Sequence, residues 1–418
     1  MFTAAQLAPL PYKDPWSLTF QERLSALSAK ERRIAYFYER PDTSTFRYRI
    51  FNMVEALNAS PVLGISASWF TLDDLCYMES FIDRADVLVI CRTRYRDGVN
   101  RMVTRARARG IRIFFDSDDF VFDPSYIHLI IDTLSYAIEP EEVWDNWFAY
   151  VGRLNATLRM CDEAIVTNEF LAARVKVLLP GIKPRIVPNF LNRMQQQISN
   201  EIWDLKLASG FARNDQIHIG YFSGTPTHNR DFEVIAPALA KLLDEDSRLV
   251  LRVVGFLDRK EPLLRHQDRI EVFPFQDFLN LQRLIGEVEI NVAPLQDNVF
   301  TNCKSELKYF EAAIVGTATV ASPTFTFQKA ISEGENGFLA NGHEWGRAIS
   351  LAIETVDDPA DYSAMAECSY LHAREKYSWH AFGPLIASAV FGDSDEGVGD
   401  NRSLSSTDSR YEVTKQAR

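Results

Sequence analysis

Three carboxylates follow an apolar run in the segment IFFDSDDF, which spans residues 113–120. Asp116, Asp118 and Asp119 are residue types that could hold a divalent cation on a diphosphate, attack a phosphoryl group, or orient a hydroxyl group for another reaction. The local sequence allows all three kinds of chemistry. The rest of the chain has to show which of the three applies.

A second group of charged residues lies in the segment TNCKSELKYFEAAIVG, residues 301–316. Lys304, Lys308 and Glu311 are four and three residues apart, so a helix would carry them on one face. Two cations can neutralise a diphosphate, and a carboxylate can accept hydrogen bonds from the hydroxyls of a ribose. The pattern therefore indicates a nucleotide diphosphate site, although a solvated stripe of salt bridges has the same spacing.

A third candidate is the loop YFSGTPTHNRDF, residues 221–232, which follows an apolar run. Gly224 lets the backbone approach a ligand closely, while Thr225 and His228 supply hydrogen-bond donors just before an expected helix. The amino terminus of a helix favours an anion, so we place a phosphate across Thr225–Arg230. An ordinary strand-to-helix turn would look similar, and the loop lacks the Gly-Lys-Ser/Thr of a P-loop.

These loops are positioned by alternating apolar runs and amphipathic segments, a rhythm that predicts parallel sheets with helices on both faces. The rhythm breaks in a polar stretch at residues 193–216 and then restarts, which predicts an α/β protein with two doubly wound units. We predict domains at 1–192 and 215–376, a linker at 193–214, a helix at 377–392 that crosses back, and a disordered tail at 393–418. The predicted strands lie at 33–39, 61–68, 86–91, 111–116, 163–168 and 184–189 in the first unit, and at 217–224, 248–255, 269–274, 288–294 and 318–323 in the second.

Composition argues against several classes of protein. The 418 residues carry a net charge of −12, which speaks against a general nucleic-acid binder. The five cysteines show no CxxC pairing, and the seven histidines form no HExxH or HxH cluster, so we expect no structural zinc and no catalytic metal. No apolar stretch reaches the roughly 20 residues of a membrane span, and the first residues do not resemble a secretory signal. We therefore expect a cytoplasmic enzyme.

One local exception to the acidic composition is the Arg-rich segment between Arg92 and Arg112. Arg101, Arg105 and Arg109 recur at helical spacing. The segment is either a solvated helix face or a peripheral contact with the inner face of a membrane through an anionic surface.

The segments KSELKYFEAAIVGTATVAS, IGYFSGTPTHNRDF and EGENGFLANGHEWGRAI together resemble the donor-binding half of the family 4 (group 1) glycosyltransferases with the GT-B fold. In that family a glutamate followed by a small-residue, glycine and Ala-Ser pattern binds the nucleotide ribose, and Glu311 stands in its place. The resemblance implies two Rossmann-like domains facing a cleft, transfer with retention, no metal, and a nucleotide-sugar donor as substrate rather than a cofactor. The acceptor would be a glycan, a lipid-linked sugar or another hydroxyl compound.

The chain departs from that family at the position of a second glutamate, which is Cys303 here. Lys304 and Ser305 follow it, and because some members of that family have a similar KSxxK segment here, the resemblance implies that Lys304 is a phosphate contact. We keep Asn302 as a possible sugar contact. The resemblance also makes a metal at the acidic segment improbable, since the diphosphate loops belong to the other domain. Asp118 and Asp119 are then the expected catalytic residues facing the acceptor, and Arg47 and Arg49 the expected contacts to an acceptor phosphate or the donor diphosphate.

Two alternatives to a glycosyltransferase stay open. A nucleotide-sugar epimerase of similar shape would turn over the donor without an acceptor. A catalytically degenerate module that binds a nucleotide or a partner protein is the other alternative, because Cys303 replaces the glutamate.

Overall fold

The computed structural model describes residues 1–133, 140–224, 229–257 and 262–392, and these residues form two six-stranded sheets. All the strand pairs recorded within the two sheets are parallel. The expected tail at 393–418 lies outside the described residues. The predicted α/β class with two doubly wound units is confirmed.

The first sheet has the strand order β2-β1-β3-β4-β5-β6. Its strands are almost continuously apolar, as expected of strands that helices cover on both faces. The strands are β1 (Arg32–Tyr38), β2 (Ile65–Thr71), β3 (Val87–Cys91), β4 (Arg112–Ser117), β5 (Glu163–Val166) and β6 (Lys183–Ile186).

Helices cover both faces of this first sheet. A π-helical turn at Arg47–Phe51 leads directly into the second of them. The helices are α1 (Phe20–Leu27), α2 (Asn52–Asn58), α3 (Met78–Ile82), α4 (Asp97–Ala108), α5 (Ile127–Thr133), α6 (Glu141–Leu158) and α7 (Glu169–Leu178).

The second sheet has the order β12-β11-β10-β7-β8-β9. Its first strand is preceded by a long helix, α8 (Arg193–Ala208). The strands are β7 (Ile217–Ser223), β8 (Leu249–Gly255), β9 (Ile270–Phe273), β10 (Ile290–Ala293), β11 (Ala318–Ala321) and β12 (Phe338–Leu339).

The helices around the second sheet include two short ones that carry the candidate donor residues. The helices are α9 (Asn229–Glu233), α10 (Ala236–Glu245), α11 (Phe278–Glu287), α12 (Val299–Asn302), α13 (Leu307–Ala313), α14 (Phe325–Ala330), α15 (Trp345–Asp357), α16 (Pro359–Tyr377) and α17 (Phe382–Phe391). Within the described ranges, no helix is long and apolar enough to cross a membrane.

Two strand predictions differ from the structure. The second strand was expected at 61–68, but residues Pro61–Leu63 form a 3₁₀ turn that ends at Gly64, whose φ is +61°. The proline and the left-handed glycine delay the strand until Ile65. The two-residue strand β12 was not predicted, because so short a segment has no measurable alternation.

Two helices link the halves of the molecule. Helix α8 packs against α11 of the second half, although it follows directly after the first sheet. Helix α17 follows α16 of the second half but packs against α2 of the first, where the Phe190 and Phe382 rings stack with centroids 4.1 Å apart. The domain limits themselves stay a prediction.

Candidate functional site

A cleft of about 460 Å³ lies between the two halves. It is bounded by the carboxyl ends of strands from both sheets, where ligands of open α/β sheets bind. The first half contributes Thr43, Ser44, Thr45, Arg47, Tyr48, Arg92, Asp118, Asp119, Val121, Ile130, Thr133, Trp147 and Tyr150, and the second contributes Phe222, Ser223, Gly224, Val254, Phe275, Gln276, Phe278, Leu281, Ile285, Asn291, Leu295, Phe300, Lys304, Ser305, Leu307, Lys308, Glu311 and Phe327.

The acidic segment at the end of β4 divides into a structural and a cleft-facing part. The Asp116 carboxylate is buried and accepts two hydrogen bonds from Arg49, both of 2.8 Å. Burial raises the pKa of Asp116 while Arg49 acts against that rise. Asp118 and Asp119, by contrast, line the cleft. Asp116 belongs to β4 and is held by Arg49, whereas Asp118 and Asp119 follow the strand, so the three carboxylates do not converge on one point.

Arg49 does not reach the cleft. Its guanidinium is fully buried and also donates to the Val187 carbonyl at 2.8 Å and to Asn189 Oδ1 at 3.1 Å. With all these partners Arg49 ties β4 to the end of the first half. The sequence could not distinguish Arg49 from Arg47, because burial of a charged residue requires a partner that is distant in the chain.

Arg92 is a cleft residue that the sequence pattern did not single out. It follows β3, and its Nη1 donates to Asp118 Oδ1 and to Thr45 Oγ1, each at 2.9 Å. The backbone φ of Arg92 is +34°, in the region that favours glycine. Its position directly after the buried strand β3 could have identified it in the sequence, because ligands bind at the carboxyl ends of such strands.

Asp119 meets Lys304 across the cleft. Its Oδ2 lies 3.5 Å from Lys304 Nζ, and both side chains are about one-fifth exposed. Lys304 also lies over the Phe300 ring, with Nζ 4.5 Å from the centroid. This ion pair joins a predicted acceptor-side residue to a predicted phosphate contact.

Glu311 is buried on α13 at the centre of the cleft. Its Oε1 accepts hydrogen bonds from Tyr48, from Arg47 at 3.3 Å and from Gln195 at 3.1 Å. Arg47 and Tyr48 belong to the π-helical turn of the first half, so the carboxylate is held from both sides of the cleft. In the described part of the chain, each hydrogen bond to the Glu311 carboxylate uses Oε1. Oε2 is therefore the oxygen that a ligand could use.

Lys308 lies one turn before Glu311 and is surrounded by the cleft wall. Its Nζ lies 4.8 Å from the centroid of the Tyr221 ring, and within the described ranges no carboxylate is at ion-pair distance from it. Burial lowers the pKa of Lys308 to about 8; the charges of Asp231 and Glu311 act against this fall, and that of Lys304 adds to it. A partly desolvated cation without an ion-pair partner favours binding of an anion.

Lys304, Lys308 and Glu311 do not lie on one continuous helix as predicted. Helix α12 ends at Asn302 and α13 begins at Leu307, so Lys304 occupies the intervening loop. All three still line the cleft.

The remaining predicted donor residues separate into two groups. Gly224 and Ser305 line the cleft, and Ser305 Oγ accepts a hydrogen bond from Asn189 at 3.0 Å. Asn302 uses its side chain locally, since its Nδ2 donates to Asp297 and its Oδ1 accepts from the Phe325 amide. Arg230 forms an ion pair with Asp132 of the first half. Thr225 and His228 lie outside the described residues.

Cys303 is buried and is not among the residues that line the cleft. Together with Phe300 it belongs to the apolar cluster of the first half, which includes Phe115 and Leu171. Burial raises the pKa of its thiol. In the family that this segment resembles, position 303 is a glutamate; in this protein Cys303 packs in an apolar core instead.

The arginines of α4 are largely paired. Arg105 contacts Asp83 at 2.7 Å and Glu79 at 2.9 Å, while Arg109 lies 3.5 Å from Asp83 and Arg101 pairs with Asp97 at 3.1 Å. The face is therefore a mixed-charge surface. In the described part of the chain, no group of three or more His, Cys, Asp or Glu side chains is placed to hold a metal ion.

Comparison with known proteins agrees with this geometry. Residues 216–356 match the family model for group 1 glycosyl transferases, and this segment contains Lys304, Lys308 and Glu311. No curated protein matches the chain.

Solved structures share the architecture at low sequence identity. HepE of Anabaena, crystallised with UDP, is 12% identical with a TM-score of 0.55 over 85% of this chain and 98% of its own. Sucrose-phosphate synthase of Thermosynechococcus elongatus is 14% identical with a TM-score of 0.53 over 85% and 97%. A Rickettsia africae glycosyltransferase is 12% identical with a TM-score of 0.56 over 86% and 99%.

The fold is GT-B. In this GT-B chain the segment that matches the family model supplies one wall of the cleft, and the first half supplies the wall that carries Asp118 and Arg92.

Proposed function

We propose that the protein is a glycosyltransferase of family 4 (group 1) that moves a sugar, most simply a hexosyl group, from a nucleotide-sugar donor to a hydroxyl acceptor. The observation that carries the proposal is the convergence of Lys304, Lys308 and Glu311 on one cleft wall, within the segment that matches the group 1 family model. A diphosphate supplies negative charge to Lys308, which has no carboxylate at ion-pair distance in the described part of the chain, and to the neighbouring Lys304, which also meets Asp119. A ribose supplies the donors for Glu311.

The chemistry follows from the charge that develops on the leaving group. As the bond between the sugar and the diphosphate breaks, the sugar gains positive character and the diphosphate gains negative charge. Lys304 and Lys308 would stabilise that charge without a metal ion. Gly224, Thr225, His228 and Arg230 would complete the phosphate side, and Asn302 and Ser305 the sugar side.

The opposite wall would receive the acceptor. Asp118 or Asp119 would accept a hydrogen bond from the acceptor hydroxyl and direct it toward the sugar. We propose transfer with retention and a glycan or lipid-linked acceptor. The domain limits at 192 and 215 would then separate an acceptor domain from a donor domain.

A cytoplasmic location with peripheral contact to the inner face of a membrane is also proposed. The pairing of Arg105 and Arg109 with Asp83 leaves this contact less support than the donor site has. If it is electrostatic, binding to anionic liposomes will weaken as salt increases.

UDP is the first nucleotide to test, because HepE was solved with UDP and with UDP-glucose. The experiment is a thermal-shift panel of UDP, GDP, ADP, dTDP and CMP, with and without EDTA, on the wild type and on Glu311→Ala. A ligand that binds only the folded state raises the melting temperature. We expect one diphosphate to stabilise the wild type in EDTA and to have much less effect on Glu311→Ala.

The matched control for this panel is Glu333→Ala, because Glu333 belongs to the second half but does not line the cleft. Stabilisation that requires a divalent cation and survives Glu311→Ala would contradict the proposed donor site. Turnover of the donor without an acceptor and without release of nucleotide would favour an epimerase. Nucleotide binding without any turnover would favour a degenerate binding module.

A further inference from the structure

Arg92 holds an uncommon backbone conformation at the edge of the cleft. Its φ of +34° is one of only two positive values among the non-glycine residues that the structure describes. Glycine would adopt this conformation without a Cβ clash. An arginine here must be maintained by its surroundings, and such residues concentrate at functional sites.

The surroundings of Arg92 consist of cleft groups. Its Nη1 donates to Asp118 Oδ1 and to Thr45 Oγ1, both at 2.9 Å, and its Nη2 lies 3.4 Å from the Tyr150 hydroxyl. All three partners line the cleft, and they come from three different elements of the first half. The Arg92 backbone amide donates to the Asp116 carbonyl at 3.0 Å, which fixes the start of the side chain beside β4.

Asp118 has few other restraints. Its Oδ2 lies 3.5 Å from Thr45 Oγ1, a long contact, and Asp118 has no shorter side-chain hydrogen bond than the one from Arg92. Arg92 is also the only cation recorded at ion-pair distance from Asp118 among the described residues. Arg92 therefore engages Oδ1, while Oδ2 keeps the long contact with Thr45, on a side chain that lines the cleft.

We infer that Arg92 is a positioning residue that holds the Asp118 carboxylate in the orientation that meets the acceptor hydroxyl. This inference rests on the proposed function, since it assigns the orientation of a group on the acceptor side of that cleft. Arg92 acts through Asp118 and does not itself contact the donor. A positioning role predicts a loss of kcat with little change in donor binding.

A nearby residue offers a matched control. Arg94 lies two positions later and makes a similar arginine–carboxylate pair with Glu39, with Nε–Oε distances of 2.7 Å and 3.0 Å. Neither Arg94 nor Glu39 lines the cleft. Loss of the Arg94 pair removes one ion pair from the same loop without touching Asp118.

The experiment compares the wild type with Arg92→Gly, Asp118→Asn, the double variant and Arg94→Gln. Release of nucleotide from UDP-glucose and from GDP-mannose is followed with water as the acceptor, and UDP binding is measured on each variant by thermal shift. Arg92→Gly removes the guanidinium and relaxes the backbone, but it also loses the contacts to Thr45, Asp118 and Tyr150, so activity is compared at a temperature where every variant is folded. We expect its kcat to fall about 10- to 100-fold, with UDP binding unchanged.

Two further results are expected from a positioning role. Free guanidinium at low millimolar concentration should restore part of the activity of Arg92→Gly. In the Asp118→Asn background, Arg92→Gly should change kcat less than about twofold, because residues that act as one unit are not additive. Arg94→Gln should retain the wild-type kcat.

The inference is overturned if Arg92→Gly keeps full activity. It is also overturned if the fall in kcat of the double variant equals the product of the falls in Arg92→Gly and Asp118→Asn. A weaker UDP shift in Arg92→Gly would overturn it as well, by assigning Arg92 to the donor. If none of the five nucleotides of the panel stabilises the wild type and it releases nucleotide from neither donor, the proposed function is wrong and the inference falls with it.

Discussion

Lys308 and Arg49 illustrate how the presence of a carboxylate partner decides whether a cation can bind a ligand. Both are cations in or beside the cleft region, yet Arg49 is fully buried with the Asp116 carboxylate, whereas Lys308 has an aromatic ring as its recorded neighbour. A buried bidentate pair has no capacity left for a ligand, and removal of one partner is costly. The cation without a carboxylate is the one available to a phosphate.

The lowered pKa of Lys308 predicts a pH dependence of nucleotide binding. With a pKa of about 8, Lys308 is charged at neutral pH and loses its proton as the pH rises through that value. A neutral amine no longer attracts a diphosphate, so the affinity for UDP should fall by about tenfold between pH 7 and pH 9.5. Isothermal titration across this range measures the effect.

Lys308→Arg is the matched control, because arginine stays protonated throughout this range. Its affinity for UDP should vary much less with pH. Equal alkaline loss in the wild type and in Lys308→Arg would show that another group is responsible, and Lys304 on the neighbouring loop would be the next to test.

At the scale of elements, the break between α12 and α13 decides which side chains reach the cleft. Phe300 and Cys303 pack into the apolar cluster of the first half, whereas Tyr309 and Phe310 on α13 pack into a second cluster that has members from both halves. One straight helix could not serve both cores. The loop between them carries Lys304 and Ser305 to the cleft.

This arrangement predicts that a glutamate at position 303 would harm the protein. In Cys303→Glu a carboxylate would be placed among apolar groups without a partner, at a cost of roughly 2 kcal/mol or more in unfolding free energy. Cys303→Ala, which only leaves a small cavity, should cost about 1 kcal/mol. Urea denaturation of the two variants measures the difference. An active and equally stable Cys303→Glu would mean that the loop can turn this position toward the cleft.

At the scale of the whole molecule, the chain crosses between the halves. Helix α17 returns to the first half after α16, and the stacked rings of Phe190 and Phe382 anchor it there. Polar contacts also cross the cleft, including Arg47 to Glu311 and Asp119 to Lys304. Such contacts allow the two walls to exclude water from a bound donor.

Removal of the α17 anchor should therefore uncouple the halves. Phe382→Ala is expected to cost about 3–5 kcal/mol and to lower the melting temperature, with a broadened or split transition in scanning calorimetry. Leu385→Ala on the same helix is the control, since Leu385 is 40% exposed and should have a small effect. A Phe382→Ala protein with an unchanged single transition would show that α17 does not couple the halves.

Much of this architecture was readable in the sequence, and the reasons are local. Apolar runs such as 86–91 and 217–223 bury both faces, so their composition alone identifies a parallel strand. The strand predictions erred where turn chemistry intervened, at Pro61 and Gly64. Of the candidate site, Asp118, Asp119 and Gly224 were found because they follow strands, whose ends in an open α/β sheet meet the ligand. Arg92 follows β3 in the same way and was missed, because its partner Asp118 is distant in the chain.

The sequence by itself determined two parallel α/β units, the segment that resembles a donor site, and the candidates Asp118, Lys304, Lys308 and Glu311. Only the tertiary structure decided that Asp116 and Arg49 are a buried pair, that Cys303 packs into a core and that Arg92 holds Asp118. Periodicity and residue type are properties of neighbours along the chain. Burial and the partner of a charge depend on residues far apart in sequence, and these become visible only when the two halves are assembled.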